Sequence, residues 1–90
     1  MQVTVRVPGS LRSLTCGERE LVVRAHTVRG AIDAIERLYP GIRDQLLDAQ
    51  GVRRFVNIFL GEKDIRFLDG LETRLEDGDE LDLVPALAGG

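Results

Sequence analysis

Near the start of the chain, Val3, Val5 and Val7 alternate with Thr4 and Arg6. This period-two pattern predicts a strand buried on one face, ended by Pro8-Gly9-Ser10. A looser segment through Cys16-Gly17 leads to Glu20-Leu21-Val22-Val23-Arg24, rich in β-branched residues, which predicts a second strand paired with the first as a hairpin. Thr27 then offers an N-cap oxygen. Val28, Ala31, Ile32, Ile35 and Leu38 follow at spacings of three and four, with Arg29, Asp33, Glu36 and Arg37 off the stripe. These predict an amphipathic helix that Pro40-Gly41 stops near Tyr39.

Ile42, Leu46 and Leu47 allow one or two further helical turns before Gln50-Gly51 breaks the pattern. Phe55 to Leu60 is the strongest strand signal; Gly61-Glu62-Lys63-Asp64 reads as a turn into a short strand at Ile65-Arg66-Phe67. Asp69-Gly70 is another turn, and Leu71 and Leu75 suggest a single helical turn. Asp77-Gly78-Asp79 reverses the chain into a last strand, Glu80 to Val84, ended by Pro85. Within the strongest strand, Phe55 and Phe59 share one face while Val56, Ile58 and Leu60 share the other, and either set is able to form the core.

One helix against about five strands is too few for a doubly wound sheet. The expected class is α+β, a roll whose mixed sheet packs one apolar face on the helix. If the last strand lies beside the first in parallel, the arrangement is a β-grasp. Ninety residues with 43% hydrophobic content suit one small core. The expected division is a β-grasp domain over 1–85 and a flexible C-terminal tail over 86–90.

Charge and composition narrow the function. The net charge is −3, and the balance shifts along the chain: residues 1–60 hold nine arginines and six acidic residues, residues 61–90 three basic and nine acidic. An acidic balance argues against nucleic-acid binding. Apolar runs are short, and the first residues lack a basic region followed by an apolar stretch, so neither a membrane span nor a secretory signal is expected. The one cysteine, Cys16, has no internal disulfide partner, and with His26 it makes a poor metal-ligand set. A reducing cytoplasm is the expected location.

No catalytic constellation stands out. Cys16 has no sequence-local activating base, His26 is expected at the surface, and no phosphate-binding glycine loop is present. Asp77, Asp79 and Glu80 fit a turn and a solvated strand edge better than an acid pair or a calcium loop. Glu76 to Asp82 reads as a solvated edge or as a patch that steers the chain toward a basic partner.

The end is distinctive: Pro85 is followed by Ala86-Leu87-Ala88-Gly89-Gly90, five small or apolar residues. Fully extended they would span roughly 17 Å, enough to enter another protein's active site. Gly89 and Gly90 lack side chains, so a narrow channel would admit them and receive the terminal carboxylate. The rival reading is a frayed terminus.

This pattern, a β-grasp of about ninety residues ending in Gly-Gly, resembles the ThiS/MoaD family of ubiquitin-like sulfur carrier proteins. Arg54-Phe55-Val56-Asn57-Ile58, Asp64-Ile65-Arg66-Phe67, Gly70-Leu71, Asp77-Gly78-Asp79 and the tail look like its CysO branch, which carries sulfur for cysteine synthesis. The resemblance implies a monomeric carrier, a protein cosubstrate and not itself an enzyme. An E1-like enzyme of the MoeB/ThiF/MoeZ type would adenylate the Gly90 carboxylate with ATP, and a sulfur donor would convert it to a thiocarboxylate. The recipient would be a CysM-like or other acceptor synthase, with a peptidase releasing the product. The chain itself would bind no cofactor and no metal.

Gly89, Ala88, Leu87, Ala86 and Pro85 would contact the partner, although Leu87 and Pro85 also read as last core contacts. In this family the exposed side of the sheet docks on the activating enzyme, which marks Phe59 and Phe67 as contacts. Three other readings stand beside the carrier: a molybdopterin synthase small subunit, a ubiquitin-like modifier conjugated to lysines, and a plain interaction module.

Overall fold

The valine alternation becomes strand β1 (Gln2–Arg6) in a computed structural model, which describes residues 1–85. Val3 and Val5 point into the core, and Val7, just past the strand, joins them. Strand β2 (Glu20–Arg24) pairs antiparallel with β1, Val3 opposite Val23. Helix α1 (Val28–Leu38) starts where the sequence predicts, with Thr27 Oγ1 accepting the Gly30 N–H at 3.1 Å.

A short helix, α2 (Ile42–Leu46), runs into a hairpin of β3 (Leu47–Asp48) and β4 (Gly51–Val52). Strand β5 (Val56–Leu60) turns at Gly61-Glu62 into β6 (Lys63–Asp64), and β7 (Glu80–Pro85) closes the described chain. The main sheet runs β2-β1-β7-β5-β6. Strand β7 lies parallel to β1 and antiparallel to β5, the β-grasp arrangement. The described chain is thus α+β.

One face of this sheet is buried under α1. Val28, Ala31, Ile32 and Ile35 of the helix meet Val3, Val5, Leu21, Val23, Ile58, Leu81 and Leu83 of the strands in a single cluster, closed at one end by Ile42 and Leu46 of α2. The described residues include no helix long and apolar enough to cross a membrane.

Two local expectations are corrected, and two segments without a periodic signal take regular structure. Leu38 is 57% exposed; at about 100° per residue it stands roughly 70° from the middle of the stripe, and Tyr39 takes the inward place. Ile65–Phe67 is a single 3₁₀ turn and not a strand. Asp64 Oδ1 accepts the Arg66 N–H at 2.9 Å, which bends the backbone away from the ladder.

The segment before β2 is also a 3₁₀ helix, Gly9–Thr15, closed by Cys16 in the left-handed region at φ 55°. Its buried Thr15 hydroxyl is held 2.9 Å from the Glu18 carbonyl. The β3–β4 hairpin has strands of two residues, too short to leave a periodic trace. Asp48 Oδ1 accepts the Gln50 N–H at 2.8 Å and Gly51 sits at φ 120° to make the reversal.

Candidate functional site

Strand β7 carries the chain toward its Gly-Gly end, and it is the middle strand of the sheet. Leu81 and Leu83 anchor it in the core while β1 and β5 hydrogen-bond its two edges. Its last residue, Pro85, is exposed and stands opposite Val56 of β5. Proline closes the ladder there because it has no N–H to donate. Of the expected site residues, Ala86, Leu87, Ala88, Gly89 and Gly90 lie outside the described residues.

Beside Pro85 opens a groove of about 280 Å³, bounded by Pro8, Leu11, Gln45, Phe55, Val56 and Val84. Phe55, 63% exposed, forms part of its wall. No local pattern in the sequence points to this groove. The residues come from four separate segments, and only the parallel pairing of β7 with β1 brings Pro8 and Leu11 to the end of β7.

The outer face of the sheet settles which side of β5 is core. Val56 and Ile58 point inward, so Phe59 lies on the outer face, half-buried, opposite Asp82 of β7 and Asp64 of β6. Val84, 38% exposed, is its diagonal neighbour through the Asn57–Val84 pair. Phe67, on the 3₁₀ turn after β6, is 86% exposed. Pro85 shares the alternation of Leu81 and Leu83, the opposite side from Phe59. Phe59 and Pro85 therefore do not form one patch.

Arg66 was not among the expected contacts. Its guanidinium donates to the Val56 carbonyl at 3.0 Å and to Asn57 Oδ1. It thereby holds the turn bearing Phe67 against β5.

The acidic stretch divides into two roles. Asp77 Oδ1 accepts the Gln2 N–H and Asp79 Oδ2 accepts the Glu76 N–H, both at 2.8 Å, so these carboxylates fasten the turn before β7. Glu80 and Asp82 face Arg6 at 2.6 and 3.7 Å on the outer sheet surface. Being half-exposed, each such pair adds little stability. Cys16 and His26 are both exposed. Among the described residues no group of three His, Cys, Asp or Glu could hold a metal ion.

The model of the ThiS family matches residues 5–90. The sulfur carrier protein CysO of Mycobacterium tuberculosis is 39% identical, and the alignment covers 100% of both chains. A putative sulfur carrier protein of Archaeoglobus fulgidus is 31% identical with the same full coverage of both. Among solved structures, a chain of the Amycolatopsis orientalis BexX/CysO complex superposes with a TM-score of 0.93 at 40% identity, covering 98% of this chain and 99% of that one. With its strand order, its central β7 and a match from the first strand through Gly90, the chain belongs to the ThiS family.

Proposed function

We propose that this protein is a sulfur carrier, itself no catalyst, that works through the carboxylate of Gly90. The observation that carries the reading is the course of β7. The chain's middle strand, braced on both edges and anchored in the core, ends at an exposed Pro85, five residues before Gly90 in the sequence. The names of its full-length relatives and the family match through Gly90 support it.

The chemistry follows from the carboxylate. A carboxylate is a poor electrophile, so an E1-like partner lets the Gly90 oxygen attack the α-phosphorus of ATP, releasing pyrophosphate and forming an acyl-adenylate. Sulfide delivered by a donor attacks that carbonyl and expels AMP, leaving a thiocarboxylate. This group is ionised at neutral pH, and its sulfur is a nucleophile that needs no general base on the carrier. The acceptor is an enzyme of cysteine synthesis or another sulfur-incorporation pathway. Glycines at the last two positions let the end pass a narrow channel. Exposed Phe67, half-buried Phe59 and Pro85 are the contacts assigned to the partner.

The test is intact mass after incubation with ATP, a sulfur donor and an E1-like enzyme from the same organism. A gain equal to one oxygen replaced by sulfur, localised to Gly90 and absent from a chain lacking Gly89 and Gly90, is expected. No gain, with an activating enzyme that modifies its own known carrier, would overturn the reading.

A further inference from the structure

Strand β2 forms one edge of the sheet, with β1 as its only strand neighbour among the described residues. The side on which each β2 residue bonds is fixed by two hydrogen bonds. The Ala25 N–H donates to the Met1 carbonyl and the Val7 N–H donates to the Arg19 carbonyl, both at 2.8 Å. Residues 19, 21, 23 and 25 therefore address β1. Because main-chain groups alternate along a strand, Glu20, Val22 and Arg24 aim their N–H and C=O groups away from the sheet. Among the described residues these groups have no hydrogen-bonding partner outside β2's own ladder.

Edges of this kind are usually blunted by proline, a bulge or an inward charge. β2 has no proline, bulge or inward charge across its five residues, Glu20-Leu21-Val22-Val23-Arg24, and its two edge charges are of opposite sign. Its centre is Val22, which is 60% exposed. Its outward side chains read acid, apolar, base. That order is self-complementary when the strand is laid antiparallel on a copy of itself.

We infer that β2 is a self-pairing edge, through which two copies of this chain join their sheets about a twofold axis at Val22. In that register Val22 faces Val22 of the second copy, Glu20 faces its Arg24, and Arg24 faces its Glu20. All three pairs are hydrogen-bonded ones, so every outward N–H and C=O of β2 gains a partner. The two acid–base pairs and the valine pair lie on the same outer face, where cross-strand neighbours attract. Among the described residues neither Glu20 nor Arg24 has an ion pair of its own. A slip of the pairing by one step either way sets Val22 against Glu20 or Arg24 and shortens the ladder.

The contact is isologous and closes on itself, so it makes dimers and not filaments. A single strand edge is a small interface, which makes the dimer weak and concentration-dependent. The twofold axis reverses strand direction, so the β7 strands of the two copies run oppositely and their ends leave from opposite sides of the joined sheet. Pro85 takes no part in the contact, and the inference stands whether or not the sulfur reading holds. Under this inference the chain, expected as a monomer, is a monomer in equilibrium with its dimer.

The test is sedimentation equilibrium of the full chain from micromolar to millimolar concentration, with thermal melts to verify that each variant is folded. A monomer–dimer equilibrium is expected. E20R and R24E, each of which sets like charges across the axis, should each weaken it by about tenfold, since two symmetric pairs change sign together. The double variant E20R/R24E restores opposite charges in the swapped order and should return the affinity to within about threefold of the parent. A readout that needs no variant is the backbone amide exchange of Glu20, Val22 and Arg24, which should slow as concentration rises. A chain that stays monomeric at millimolar concentration, or a dimer that the double variant does not rescue, would overturn the inference.

Discussion

Val56 and Pro85 face each other at the last rung of the β5–β7 ladder, and the described fold closes there. Everything that Leu81 and Leu83 bury lies before this rung, on the side of the α1 helix. Removing Gly89 and Gly90 should therefore leave the melting temperature and the far-UV spectrum of the chain unchanged, while abolishing conversion to the thiocarboxylate. A truncated chain that melts several degrees lower would mean that the end residues belong to the core.

The same strand supplies a contrasting case. Leu81 is 1% exposed and sits between Val5 of β1 and Leu60 of β5. Leu81→Ala leaves a cavity under the central strand, at a cost of about 2–5 kcal/mol. For a domain this small that is a fall in melting temperature of about 8 °C or more. Thiocarboxylate formation well below the lowered midpoint should be close to that of the parent, since a buried Leu81 offers a partner no surface. Calorimetry and the mass assay at low temperature check the two halves separately.

What was legible in the sequence and what was not divides along physical lines. β1, β2, α1, β5 and β7 each bury one face, and burial of one face leaves a period in the residue types. Thr27, a polar oxygen just ahead of an apolar stripe, marked the α1 start to the residue. Parity alone left two possible core faces for β5; it took the neighbours, Leu81 and Leu83 of β7, to make Val56 and Ile58 the inward set. The turn at Ile65–Phe67 was misread because its cause is a side chain, the Asp64 carboxylate on the Arg66 N–H. The groove at Pro8, Leu11 and Phe55 had no local signal, since long-range pairing alone assembles it. Gly89 and Gly90 lie outside the described residues, so the reading placed on them rests on residue type and position in the sequence, with no packing behind it.

Phe67 is 86% exposed, and the Arg66 hydrogen bonds to β5 keep its turn in place without it. Phe67→Ala should change stability by no more than about 0.5 kcal/mol. If Phe67 docks on the activating enzyme, the variant raises the KM for the carrier several-fold and leaves kcat nearly as it was, the mark of lost uniform binding. An unchanged KM removes Phe67 from the contact surface and leaves Phe59 and Pro85 as the assigned residues.

The carboxylate of Glu36 reaches past the end of α1 and accepts the Arg43 N–H at 2.9 Å and the Gly41 N–H at 3.1 Å, supplying partners that the start of α2 lacks. These two hydrogen bonds, first that from Arg43 and then that from Gly41, hold its pKa below the ordinary 4.5; the positive charge of Arg43 acts in the same direction and partial desolvation opposes them. A carboxylate with a lowered folded pKa binds its proton less readily in the folded chain than in the unfolded one. Its contribution to stability is therefore present in full above the ordinary value and is lost as pH falls through the lowered folded value. Glu36→Gln cannot ionise, so the stability difference between parent and variant should be greatest at neutral pH and shrink in acid, beginning near the ordinary carboxylate value. The protection of the Gly41 and Arg43 amides, taken relative to their intrinsic exchange rates, should fall over the same range in the parent and stay flat in the variant. Denaturant melts across that pH series are the check, and a difference that stays constant from neutral to strongly acid solution would show that the charge of Glu36 does not hold α2 to α1.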